Sequence, residues 1–420
     1  MTALRTEPPA VVPARSPIIH DRRRAWMIAG ATGITLVAAL LLQLAFVGHH
    51  GHNSLSDLPR VFAHRRVGTG GLPYVDRMIE YPVVAGELLY LAATVWPTPT
   101  GVLVVTAAAA SVVGVILALV LERRVGARAW RWAVGTPLLL YAFQNWDVFA
   151  IAALVAGLVA FERKRNGWSG VALGLGAAIK LFPAVAVPPL VAIRLARGDR
   201  RGAVRLAGAA IATFAALNLP FAVARPSGWW WPFAFQGRRN ATWGSAWFYA
   251  LRLVGAPVHG TAGAHLANAV SLVALTLAIA VLVLVTVRNR LSAWPAVAAA
   301  VALFILANKV YSPAYDLWLV VFFVMLPVSR RLWLGFCAVD LAMYLTVFGH
   351  FHGYDSPYLT HNLLPALVVI RTCLLVTFVL VAVRQRVTAD PVARATTPAP
   401  TSRQQPAATM PELVSSRGRR

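Results

Sequence analysis

Of the 39 lysines and arginines in this 420-residue chain only three are lysines, and two of those three interrupt apolar runs. Lys180 ends "LGLGAAIK" just before "LFP", and Lys309 sits in "NKVYSPAYD" (308 to 316). A charge at membrane depth costs about 2.5–3.5 kcal/mol on insertion scales, so it marks a site unless the side chain snorkels to the headgroups. Polar residues of matching character accompany the lysines: Asp57 in "SDLPRVFAHRR", Glu80 ahead of Tyr81, Asn145 and Asp147 in "QNWD", and Tyr311 and Asp316 around Lys309. Arg238 and Arg239 follow a tryptophan-rich stretch, and Asp340 stands alone inside an apolar run. A carboxylate can take the proton from an attacking hydroxyl, while lysine or arginine stabilises the charge that grows on a departing phosphate. The competing explanations are plain ones: a solvated loop carboxylate, or for Ser56 or Asp57 a helix cap.

The surrounding chain excludes most soluble chemistries. Hydrophobic residues make up 58% and charged residues 13%, with mean hydropathy +0.65, too much apolar surface for a water-soluble core. An all-α polytopic membrane protein is expected. The net charge of +24 does not indicate nucleic acid, because the arginines cluster at the ends of apolar runs and in the tails, the distribution that topology imposes. Cys337 and Cys373 lie inside apolar runs as small packing residues, and His49, His50 and His52 are neighbours on a loop, so neither a metal site nor a cofactor is expected.

Positioning those groups requires a particular path through the bilayer. The run Ala25 to Val47 follows "DRRR" and is too long for a signal-peptide core of about 7–15 residues, so it reads as an uncleaved anchor. Residues 1–20 and 388–420 are polar and read as disordered cytoplasmic tails around a membrane domain at 21–387. Basic clusters at 21–24, 122–131, 162–165, 194–205, 288–290, 329–331 and 384–386 mark one side, the cytoplasmic one. Three stretches between clusters must therefore rise and return as hairpins: Trp132 to Phe161, Gly167 to Ile193, and Trp294 to Val328. Their bends carry "QNWD", Lys180 and "NKVYSPAYD", all on the opposite face. Val83 to Trp96 is too short to span and is expected at that outer surface. With spans near 101–121, 203–223, 265–287, 332–350 and 362–383 the count reaches twelve, both termini cytoplasmic.

An outer chamber holding acids and cations suits sugar transfer from a lipid-phosphate carrier, because nucleotide sugars are confined to the cytoplasm. The rival is a transporter or lipid flippase, whose site would lie near the midplane between inverted repeats. No such repeat is visible, and the polar groups gather at one face.

In "SDLPRVFAHRRVGTGGLPYVDRMIEYP" (56 to 82), "LGLGAAIKLFP" and "NKVYSPAYD" the chain resembles the GT-C superfamily of polyprenyl-phosphate-dependent glycosyltransferases. It is most similar to glycosyltransferase family 87, the actinobacterial mannosyltransferases, over about Asp57 to Asp316. The resemblance implies a bundle of about twelve helices with juxtamembrane helices on its first outer loop. It further implies a plasma-membrane enzyme that moves a sugar, mannose by family precedent, from polyprenyl phosphate to a lipid-linked or cell-envelope glycan acceptor by inverting single displacement. Membrane lipids are its other partners. By position Asp57 matches the catalytic base and Lys180 the lysine that meets the donor phosphate, with Lys309, Arg238 and Arg239 expected to assist it. Glu80, Tyr81, Asn145, Asp147, Tyr311 and Asp316 are expected to contact the substrates. Val83 departs from a second proline common in the family, and "QNWD" from an asparagine-glycine-glutamine tip.

Overall fold

The computed structural model describes residues 21–47, 56–351 and 362–385, and apart from an isolated bridge between Pro73 and Arg77 their regular structure is helical. The three loop histidines and both tails lie outside these residues. Helix α1 (Arg22–Phe46) is followed by α2 (Asp57–Arg65) and α3 (Val83–Val95) on the first polar segment. Helix α4 (Pro99–Val125) runs through a tight turn into α5 (Trp130–Ala133). Next come α6 (Thr136–Tyr141), α7 (Asp147–Glu162), α8 (Asn166–Ile179), α9 (Val187–Ala196) and α10 (Arg200–Ala224). Helices α11 (Pro226–Arg238) and α12 (Ala246–Leu253) precede α13 (Gly260–Arg288), and α14 (Ala293–Ala307), α15 (Asp316–Met325), α16 (Arg330–Phe351) and α17 (Leu364–Val383) complete the order.

Among the described residues six helical stretches are long and apolar enough to cross a membrane: α1, α4 with α5, α10, α13, α16 and α17. They coincide with the full spans expected from sequence. The three hairpins also form, as α6–α7, α8–α9 and α14–α15, but their arms are shorter than the roughly 20 residues a free-standing span needs. Helix α7 has 16 residues, α8 has 14 and α15 only 10. Burial explains the difference. Every residue of α15 from Asp316 to Val324 is buried, whereas α13 buries five of its 29. The long helices leave most of their surface open on the outside of the bundle, and arms enclosed by protein need not match a hydrocarbon thickness. Among the described residues, six helices long enough to span and three short hairpins thus stand where twelve spans were expected.

Two devices hold the short arms. Helix α8 lies directly on α10 because Gly170 and Gly174 leave no side chain between them: a Cβ would come 2.2 Å from the Leu206 carbonyl oxygen and 2.4 Å from that of Ala210. This is the small-residue spacing that lets helix backbones approach in membranes. At the basic end, Arg24 pairs with buried Glu122 at 2.8 Å and Arg124 pairs with Glu162, which also accepts from Trp294 Nε1 at 2.8 Å. Arg131 caps the end of α15 through the carbonyls of Phe323 (2.7 Å) and Val328 (3.0 Å), and Arg194 does the same for Phe161 at 2.5 Å. The basic clusters around Arg24, Arg124 and Arg131 thus meet Glu162, Trp294 and Val328 at one end of the bundle, and the hairpin tips lie at the other.

Candidate functional site

Asp57 opens α2 without serving as its cap. Ser56 does that work: its Oγ accepts from the Leu58 amide at 3.2 Å and donates to the Phe143 carbonyl at 2.7 Å. The Asp57 amide donates to the Gln144 carbonyl at 2.8 Å, so the start of α2 is docked on the first hairpin tip. With the cap supplied by its neighbour, the Asp57 carboxylate is left to face other groups. Oδ2 accepts from the Tyr81 hydroxyl, and Oδ1 accepts from Arg60, one helical turn on, at 2.5 Å. Burial, and next the Asp57 charge, push the Tyr81 phenol well above its ordinary pKa, so it remains a donor. The same carboxylate raises the pKa of Arg60. Tyr81 is fixed in turn by an edge-to-face contact with Trp146, centroids 4.9 Å apart, and by Tyr74, whose hydroxyl lies 2.8 Å from the Tyr81 carbonyl. Tyr74 holds a left-handed φ of 64° and packs over Gly86, where a Cβ would lie 2.2 Å from the phenol oxygen.

Lys180 emerges where α8 ends and the second tip begins. Its ammonium lies 2.6 Å from Asp147 Oδ1, which also accepts from Trp318 Nε1 at 2.9 Å. Asp147 is fully buried, and its amide donates to Asn145 Oδ1 at 3.1 Å, which ties the tip to the first residue of α7. The Trp318 indole is stacked between Phe182 of the second tip (4.1 Å) and Tyr315 of the third (4.2 Å), and Lys180 sits 5.4 and 5.6 Å from the Trp318 and Tyr315 ring centres. All three tips therefore meet at one indole. The Asp57 amide on Gln144 and the Lys180 ammonium on Asp147 tie both residues to the same short tip. Their side chains keep 22% and 14% of their surface open.

The remaining expected residues divide into three groups. Lys309 is buried and donates to the Arg239 carbonyl; burial first, and then the Arg239 charge, lower its pKa from the ordinary 10.5 to about 8. The Arg239 charge also acts on Tyr315, which joins this pair to the Lys180 side of the site. Arg238 turns elsewhere, 5.6 Å from the Trp231 ring centre, which Arg65 approaches at 6.0 Å; Arg65 pairs with Glu80 at 2.8 Å. Tyr311 and Asp316 bond to each other at 2.9 Å, with Asp316 fully buried on the far side of the third tip. Sequence reasoning missed Arg60, Tyr315 and Trp318. Arg60 carried a usable signal, a cation at the i+3 position of a short helix. Trp318 carried none, since its partner Asp147 is 171 residues away.

A cluster of one partly open carboxylate with a phenol donor, next to a lysine held by a buried carboxylate, can accept a proton on one side and stabilise an anion on the other. A family model described as glycosyltransferase family 87 matches residues 79–313, more than half of the chain. The match contains Tyr81, Asp147, Lys180 and Lys309 and begins after Asp57. No curated protein matches the sequence.

Proposed function

The chain belongs to glycosyltransferase family 87, and from that membership we propose that it transfers mannose from a polyprenyl-phosphate donor to a lipid-linked or cell-envelope glycan acceptor by inverting single displacement. The arrangement that supports this reading is the docking of Asp57, oriented by Tyr81 and Arg60, and of Lys180, oriented by Asp147, on the same short tip. In the reaction the acceptor hydroxyl gives its proton to Asp57 as its oxygen bonds the anomeric carbon. The bond from that carbon to the phosphate oxygen breaks, and the electron pair leaves with polyprenyl phosphate. Phosphate is a good leaving group, so no catalytic acid is required. Lys180, with Lys309 and Arg239 across Tyr315, meets the charge that develops on it. Asp147 and Glu80 are positioning residues, holding Lys180 and Arg65. Arg238, beside Arg65 over Trp231, extends the cationic surface.

The proposed setting is the plasma membrane, with the tips on the extracytoplasmic side and both termini cytoplasmic, so that the donor's tail stays in the bilayer while its sugar is transferred. The test is reconstitution of the purified protein with synthetic polyprenyl phosphomannose and a mannosylated glycolipid. Transfer is expected from this donor and not from a nucleotide sugar, with the anomeric configuration inverted. Retention of configuration would refute single displacement, and transfer from the nucleotide sugar alone would refute the donor class.

The state of Lys309 gives a pH dependence with a definite sign. Raising the pH through about 8 removes its proton in the free enzyme, and a neutral amine attracts phosphate less. Donor KM is expected to rise above that pH, and Lys309→Arg, which stays charged, is expected to flatten the rise. An equal rise in both proteins would take Lys309 out of donor binding.

A further inference from the structure

The proposed transfer makes no use of the buried cluster behind the third tip. Asp316 at the start of α15 and Asp340, midway along α16, are 0% and 1% exposed. Tyr311 donates to Asp316 Oδ2 at 2.9 Å and Thr136 to Asp340 Oδ2 at 3.0 Å, while the Oδ1 atom of each carboxyl is buried with no donor. The two carboxyls are close enough to act on each other. Arg371 of α17 lies with its guanidinium carbon 3.3 Å from the Tyr311 ring centre and donates to the Gly244 carbonyl at 2.9 Å. Among the described residues, the other titratable or charged groups acting on the pair are Tyr141 of α6 and Cys337 of α16, the latter beside Arg131.

Two buried carboxylates that act on each other cannot both stay ionised inside a bundle, and a guanidinium does not give up its proton. With both acids charged the cluster would hold two negative charges against one positive charge, in surroundings that solvate neither. We infer that Asp316 and Asp340 share a single proton as an acid–carboxylate pair neutralised by Arg371, and that this pair latches the third tip to α16 and α17. The proton adds a donor to a cluster in which the Oδ1 atom of each carboxyl has none. Asp316 directly follows Tyr315 and ends the tip that carries Lys309, so the latch sets where both stand relative to Lys180. Asp316, Asp340 and Arg371 are positioning residues in this account.

Infrared spectroscopy of the full-length protein in lipid nanodiscs tests the shared proton without any substrate. The wild type is expected to show the C=O stretch of a buried protonated carboxyl at neutral pH, exchanging slowly in D2O. Asp340→Asn should abolish it and Asp57→Asn should leave it. Absence of the band in the wild type, or its survival in both Asp340→Asn and Asp316→Asn, would overturn the inference. The positioning role rests on the transfer proposed above and has its own readout. Asp316→Ala is expected to raise donor KM, by up to about 100-fold if the tip shifts on the order of 1 Å, and Asp316→Asn, which keeps a neutral hydrogen-bonding group, to restore most of it. An unchanged KM in Asp316→Ala would confine the pair to stability. Failure of transfer in every protein, with the band present, would count against the proposed function alone.

Discussion

Asp57→Asn is expected to lower kcat by about 10²- to 10⁴-fold, the range a positioned general base contributes, while leaving thermal stability and donor KM nearly unchanged. The separation follows from the division of labour at the start of α2. Ser56 caps the helix and docks it on the first tip, so the substitution removes no cap. The amide keeps the shape of the carboxylate and can still accept from Tyr81 or Arg60, but it cannot take a proton. Turnover and a melting curve on the same preparation check it. A kcat within about threefold of wild type, far below the contribution of a general base, would move the base elsewhere.

Lys180→Ala should have two effects of different origin. Losing a group that stabilises a departing phosphate is expected to cost about 2.7–4 kcal/mol of transition-state stabilisation, about 10²- to 10³-fold in rate. Leaving Asp147 fully buried without its countercharge should also destabilise the fold, by about 3–5 kcal/mol. A double variant, Lys180→Met with Asp147→Asn, separates the two because it removes both charges together. Its melting temperature should return close to wild type while turnover stays low. Wild-type turnover in that protein would remove Lys180 from the reaction.

Much of the architecture was legible because membranes impose few rules. Length, apolarity and the placement of arginines located the six long helices among the described residues and the bends of the three hairpins, and several of the basic clusters meet at one end. The rules failed where protein replaces lipid as the surroundings: α15, with 10 residues, lies outside any argument based on hydrocarbon thickness. Site residues follow the same division. Asp57, Lys180 and Asp147 stood out as charges in apolar or looped surroundings, but their partners did not. A tryptophan in an apolar run reads as core, and nothing in "DLWLVV" says that Trp318 donates to a carboxylate on another hairpin. Arg238 and Arg239, adjacent in sequence, were expected to act together, yet α11 ends between them and sends them to different neighbours.

The brevity of the inner arms fixes the depth at which a substrate would be met. A 14-residue helix such as α8 climbs only about 21 Å at 1.5 Å per residue, against a hydrocarbon slab about 30 Å thick. Under the proposed topology an arm rooted at the arginine-rich boundary would stop several ångströms short of the opposite headgroups, which would set Lys180 in a basin beneath the membrane surface. A lipid-borne phosphate could enter such a basin by lateral diffusion, without withdrawing its tail into water, whereas a freely dissolved sugar phosphate would have to descend to reach it.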